Sequence, residues 1–212
     1  MGVTGVSVPA AVRLWPLSAH TLGSMTDPEN ITKIHAAERQ LRVAIGLFFQ
    51  RSDPVAIQTL TSAASSILHD LGSQQGIASP IRDSDLIRPE RKREWIDALN
   101  RAPNFFKHAD RDPDEILEFH RDGVEWSILE AVDMFGRLTG KFVAETLIFS
   151  SWFYIRYPDL VTNERMKTAL GRITNPLPNT EDFDLFLEML HANQDLESSG
   201  EWPPKAPSAQ QG

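Results

Sequence analysis

An all-α fold is predicted by three observations. Apolar residues recur at three- and four-residue spacing through most of the chain, proline and capping signals punctuate that pattern at helix-length intervals, and two-residue alternation is nearly absent. Together they predict a bundle of about five main helices with two shorter C-terminal ones. The expected organisation is a poorly ordered extension over 1–25, a single helical domain over 26–195 and a disordered tail over 196–212.

The first helix is expected over about 28–51. Thr26 and Glu29 have capping-box spacing, Pro28 lies in the first turn, and Ile34, Leu41, Ile45 and Phe48 share one face. Met25 stands just before this start and is a candidate first residue. Asp53-Pro54 supplies an N-cap and an N1 proline for the second helix, and Leu60, Ala64, Ile67, Leu68 and Leu71 form its stripe. Gly72 is expected to end it in the left-handed conformation.

After a loop over 73–87, Pro89 opens a third helix with Trp95, Ile96, Leu99 and Phe106 on its apolar side. Pro103 is expected to kink or restart it, because an interior proline removes a hydrogen bond and crowds the preceding turn. Residues 109–121 read as a loop in which Leu117 and Phe119 could form a short extended piece. The fourth helix, about 122–138, carries Val124, Ile128, Val132, Phe135 and Leu138 and ends at Gly140.

Phe142 is expected to begin the fifth helix, which is apolar nearly all round through Ile155, so that Phe149 and Phe153 belong in the core. Within it, Glu145 reads either as a first-turn residue facing solvent or as a buried functional carboxylate. Two further helices are expected, over 163–172 and over 181–194, the latter capped by Thr180 or Asn179.

The 212 residues carry 41% apolar side chains and a net charge of −8, enough to build one core and adverse to general attraction toward phosphate backbones or anionic membranes. Residues 82–108 hold seven Lys/Arg against five Asp/Glu, whereas 110–135 hold two against nine. The absence of cysteine excludes disulfides, thiolate metal sites and thiol catalysis. Pro9 and Pro16 interrupt the N-terminal segment, and Phe142–Ile155 is too short to span a bilayer, so a cytoplasmic protein with neither membrane nor DNA as partner is expected.

Glycine-rich phosphate loops, Gly-x-Ser-x-Gly elbows and His-Glu-x-x-His sites are missing, and no cofactor or metal is expected. Asp110, Asp112 and Asp114 alternate as in a calcium loop, but Glu115 and Arg121 stand where an EF-hand needs glycine and an acid. Of the two Glu-x-x-His pairs that a dimetal bundle requires, only Glu188–His191 is present, with His35–Glu38 reversed.

The chemistry-bearing cluster is Arg101, Asn104, Lys107 and His108, at the end of the third helix. Two expectations stand beside each other for it. In one, Phe105 and Phe106 anchor the helix end while Lys107 and His108 complement its C-terminal dipole, and the protein is a non-catalytic helical module that binds a protein partner or itself.

In the other, Arg101 and His108, separated by six residues, resemble the motif of the HEPN superfamily of small helical proteins, which includes metal-independent ribonucleases. The resemblance implies an RNA partner, with two subunits bringing their motifs together. It gives Arg101 a phosphate-stabilising role, His108 acid–base work on a ribose hydroxyl, and Asn104 and Lys107 support. The motif's usual polar residue after the arginine is Ala102 here, and Arg13 with His20 repeats the same spacing.

Overall fold

The computed structural model describes residues 28–110, 113–161 and 178–202. Thr26, the expected extension over 1–25 and the expected helix over 163–172 lie outside these residues. The chain divides into two units, Met1–Asn30 and Ile31–Gly212. In the first, residues 28–30 are described and have no regular secondary structure.

The second unit carries six α-helices and no strand among its described residues. They are α1 (Lys33–Phe49), α2 (Pro54–Gln74), α3 (Lys92–Phe105), α4 (Gly123–Thr139), α5 (Ala144–Arg156) and α6 (Phe183–Ser199). Short 3-10 turns at Pro89–Arg91 and Pro158–Leu160 precede α3 and follow α5. The all-α bundle is thus present, and the Leu117–Phe119 segment is irregular rather than a strand.

The ends of the helices follow local hydrogen bonding. α1 starts at Lys33, later than expected, because Thr32 is its cap: the hydroxyl accepts from His35 N at 3.2 Å while the Thr32 backbone is extended. Asp53 caps α2 as expected, accepting from Val55 N at 2.8 Å. The stop at Gly72 is corrected, since α2 continues to Gln74 and the left-handed residue is Gly76.

Gly72 serves another purpose. A Cβ there would stand 2.5 Å from Met134 Cε on α4 and 3.1 Å from the Ile77 carbonyl, so the glycine permits close approach. α3 runs through Pro103 to Phe105, with Phe106 N bonded to Ala102 O beyond it. α4 ends at Gly140 as predicted, and that glycine is left-handed.

α5 begins at Ala144 rather than Phe142, because the Thr146 hydroxyl accepts from Val143 N at 3.1 Å and closes the first turn. α6 begins at Phe183 with Asp182 as cap, accepting from Leu185 N at 3.1 Å, and Asn179 instead shapes the preceding turn. α6 also extends to Ser199, past the expected boundary at 195, and Gly200 ends it.

α1 packs most extensively on α2 and α2 on α4, and α1 also meets α4, α5 and α6. The bottom of this arrangement is aromatic. Phe48 lies edge-on to Trp152 at 4.9 Å, Phe49 stacks on Phe186 at 5.8 Å, and Phe149 and Phe153 are fully buried as predicted. By contrast α3 contributes only Pro103 to the buried residues, and its stripe of Trp95, Ile96 and Leu99 is half-buried. Among the described residues no helix is long and apolar enough to cross a membrane.

Candidate functional site

Arg101, Asn104, Lys107 and His108 are all exposed at the C-terminal end of α3. Arg101 directs its Nη2 to Glu115 Oε1 at 3.4 Å, across to the acidic loop. Among the described residues, the side chains of Asn104, Lys107 and His108 have no hydrogen bond or ion pair, while the Asn104 carbonyl accepts from the Lys107 and His108 amides at 3.1 Å each and so closes the helix. Among the described residues, no hydrogen bond or ion pair joins Arg101 to His108. Phe105 and Phe106 are half-buried, Phe106 lying edge-on to Phe119 at 5.2 Å, so the anchoring role is partly realised.

A concave site lies on the Trp95 and Leu99 face of α3. A pocket of about 450 Å³, within the range that takes small molecules, is walled by Pro80, Ile81, Ser84, Leu86 and Ile87, by Trp95 and Leu99 of α3, and by Gly123, Trp126, Ser127 and Glu130 of α4. It exists because the α3 stripe stops short of the core. Trp126 is 39% exposed and Leu86 92%, which leaves large apolar surface at this place.

The wall over 79–87 is held by polar contacts on both sides. Ser79 Oγ donates to Glu130 Oε1, accepts from Arg82 N at 2.9 Å, and is backed by Asp83 Oδ2 accepting from Ser79 N at 2.8 Å. Toward α3, Trp95 Nε1 donates to Ile81 O at 3.0 Å and Arg82 Nη1 to Asn100 Oδ1 at 3.1 Å. Arg137 of α4 donates to Ala78 O at 2.8 Å. These bonds fix the indole plane of Trp95 and the position of the wall, so the pocket is preformed.

Glu130 is the acidic group of the pocket. It is buried, accepts from Ser79 and from Ser65 Oγ of α2 at 3.3 Å, and lies 3.7 Å from Arg82 Nε. Arg82 Nε itself has no hydrogen-bond partner. Beside Glu130, Ser127 Oγ donates to Gly123 O at 3.2 Å and accepts from Gln58 Nε2 at 3.3 Å.

Two further polar networks serve the architecture. On one side, buried Glu145 of α5 lies 3.0 Å from Arg42 Nε of α1 and accepts from Gln194 Nε2 of α6 at 2.6 Å. Glu145 Oε2 accepts no hydrogen bond there, so the contact with Arg42 is an ion pair without good hydrogen-bond alignment. Arg42 also grips Glu197 of α6 through both terminal nitrogens, at 3.1 and 2.9 Å. Burial opposes the Arg42 charge, but the Glu145 and Glu197 carboxylates outweigh it and hold the guanidinium above its ordinary pKa. The solvent-facing reading of Glu145 is thereby corrected: it is 2% exposed.

On the other side, Tyr157 OH donates to Glu125, which lifts the phenol pKa above its ordinary value, with burial adding to the shift. Arg156 completes that group through Glu181 and Tyr157. Of the pairs weighed for a dimetal centre, His35, Glu188 and His191 are exposed, and no group of metal-binding side chains is assembled among the described residues.

The pocket was not legible in the sequence. Its strongest signal, the Trp95 and Leu99 stripe, is the same pattern that a filled core interface would show. Comparison with protein-family models, with curated proteins and with solved structures found no match.

Proposed function

We propose that the protein is a helical module that works by binding rather than catalysis, and that its recognition site is the pocket between the 80–87 wall, α3 and α4. The observation that carries this reading is a preformed, mainly apolar concavity of about 450 Å³ whose rim leaves Trp126 and Leu86 exposed. Its walls are tied together by the bonds from Trp95 Nε1 to Ile81 O and from Arg82 Nη1 to Asn100 Oδ1, so the concavity does not have to be assembled when an apolar group enters.

The test is a titration of the full chain with 2-phenylethanol, followed through the indole N–H resonances of Trp95 and Trp126. Saturable shifts at both, removed by Leu99→Arg in the pocket wall, are expected. Unchanged indole signals at saturating alcohol would overturn the reading.

A second reading, an RNA-binding or RNA-cleaving protein similar to the HEPN superfamily, is favoured by one observation. Asn104, Lys107 and His108 present unengaged side chains together at the end of α3, where a second subunit or a phosphate could reach them. In that case Arg101 steadies charge on the scissile phosphate and His108 exchanges the proton. Incubation with mixed cellular RNA in chelator distinguishes the two readings. Cleavage by the wild type that is lost in His108→Ala supports the second, and equal activity in both rejects it.

A further inference from the structure

The pocket carries one kind of charge. Among its lining residues the only ionisable side chain is Glu130, and no Lys, Arg or His contributes to the wall. Arg82 lies near Glu130, but its Nη1 is taken by Asn100 and its Nε stands 3.7 Å from the carboxylate, outside hydrogen-bonding distance. Asp83, 3.5 Å from His69 Nε2, adds a second carboxylate behind the same turn. Arg82 is thus an ion-pair partner of Glu130 without a hydrogen bond to it, and an ammonium in the pocket would share that carboxylate with Arg82.

The carboxylate also has spare capacity. An ionised carboxylate offers about four acceptor positions. Two hydrogen bonds, from Ser79 and Ser65, are made to Glu130. The remaining walls suit a cation as well: Trp95 and Trp126 both line the pocket, and an indole face attracts an organic cation through its quadrupole. An anion would find no Lys, Arg or His among the lining residues.

Resting on the pocket reading above, we infer that the ligand is a small organic cation: a compact apolar body carrying one protonated amine, the body between Trp95, Leu99 and Trp126 and the ammonium toward Glu130. The volume suits a small molecule, and the ionisable group among the lining residues is an acceptor.

Three near-isosteric ligands test this on the full wild-type chain at moderate salt: 2-phenylethylamine, 2-phenylethanol and phenylacetate. Titration calorimetry, with the indole N–H resonances as a site marker, should give the amine about tenfold tighter binding than the alcohol, with phenylacetate weakest. Glu130→Gln should bring the amine to the affinity of the alcohol. Because Glu130 also holds the 79–83 turn, Trp126→Leu provides a second variant at a more exposed position. It should weaken the amine several-fold more than the alcohol, as loss of a cation–π contact requires.

Equal affinity for amine and alcohol, or tighter binding of phenylacetate, overturns the charge assignment while leaving the pocket reading in place. Binding of none of the three overturns both.

Discussion

At the scale of single residues, Glu145 and Arg42 illustrate a chemistry that spacing along the chain does not reveal. A glutamate in the first turn of an apolar helix has the same local pattern whether it faces solvent or a partner. The partner here is an arginine on α1, joined in turn to Glu197, 155 positions away along the chain. Phe149 and Phe153, by contrast, were legible, because apolar residues on every face of one helix leave it no stable place except the interior. Arg42→Met is expected to destabilise the fold by about 3 kcal/mol, mostly by leaving the Glu145 charge buried and unpaired. Urea unfolding of Arg42→Met and of Arg42→Met/Glu145→Met checks this. The double variant should recover much of the loss, and equal stability of single variant and wild type would contradict the role of the pair.

At the scale of elements, α2 and α3 show where periodicity is sufficient and where it is not. The α2 stripe predicted a core helix and Ala64 and Leu68 are fully buried, although its end was misplaced because a glycine needed for contact with Met134 resembles a helix stop. The α3 stripe predicted the same, yet Trp95, Ile96 and Leu99 are only half-buried, because what a stripe faces, filled or open, is not written in its spacing. The candidate site was missed for that reason. A helix with so little buried surface should open locally. Amide hydrogen exchange is expected to be about 100-fold faster along α3 than in the middle of α2 or α4, whereas matched protection would mean that α3 belongs to the same cooperative unit.

At the scale of the whole molecule, the C-terminal boundary decides how much of the chain the bundle needs. Composition from residue 196 onward suggested a disordered tail, but α6 continues to Ser199, and Trp202 packs on the core while its indole N–H donates to Phe142 O at 3.0 Å. Truncation after Asp195 removes Glu197 and Trp202 together. Relative to a chain ending at Trp202, it should lower the thermal midpoint by about 5–10 °C, corresponding to roughly 2–3 kcal/mol for a domain of this size. An unchanged midpoint would restore the earlier boundary.

The Arg42–Glu197 pair also bears on the order of folding events. α1 and α2 are neighbours in sequence and share the most extensive interface, so their hairpin can form early at little loop-closure cost. The clamp between Arg42 and Glu197 closes nearly the whole folded chain and is expected to form after the rate-limiting barrier. Contacts made that late scarcely change how fast a chain folds; they govern how long it stays folded. In this protein the lifetime of the native state would then be set at the seam between α1 and α6.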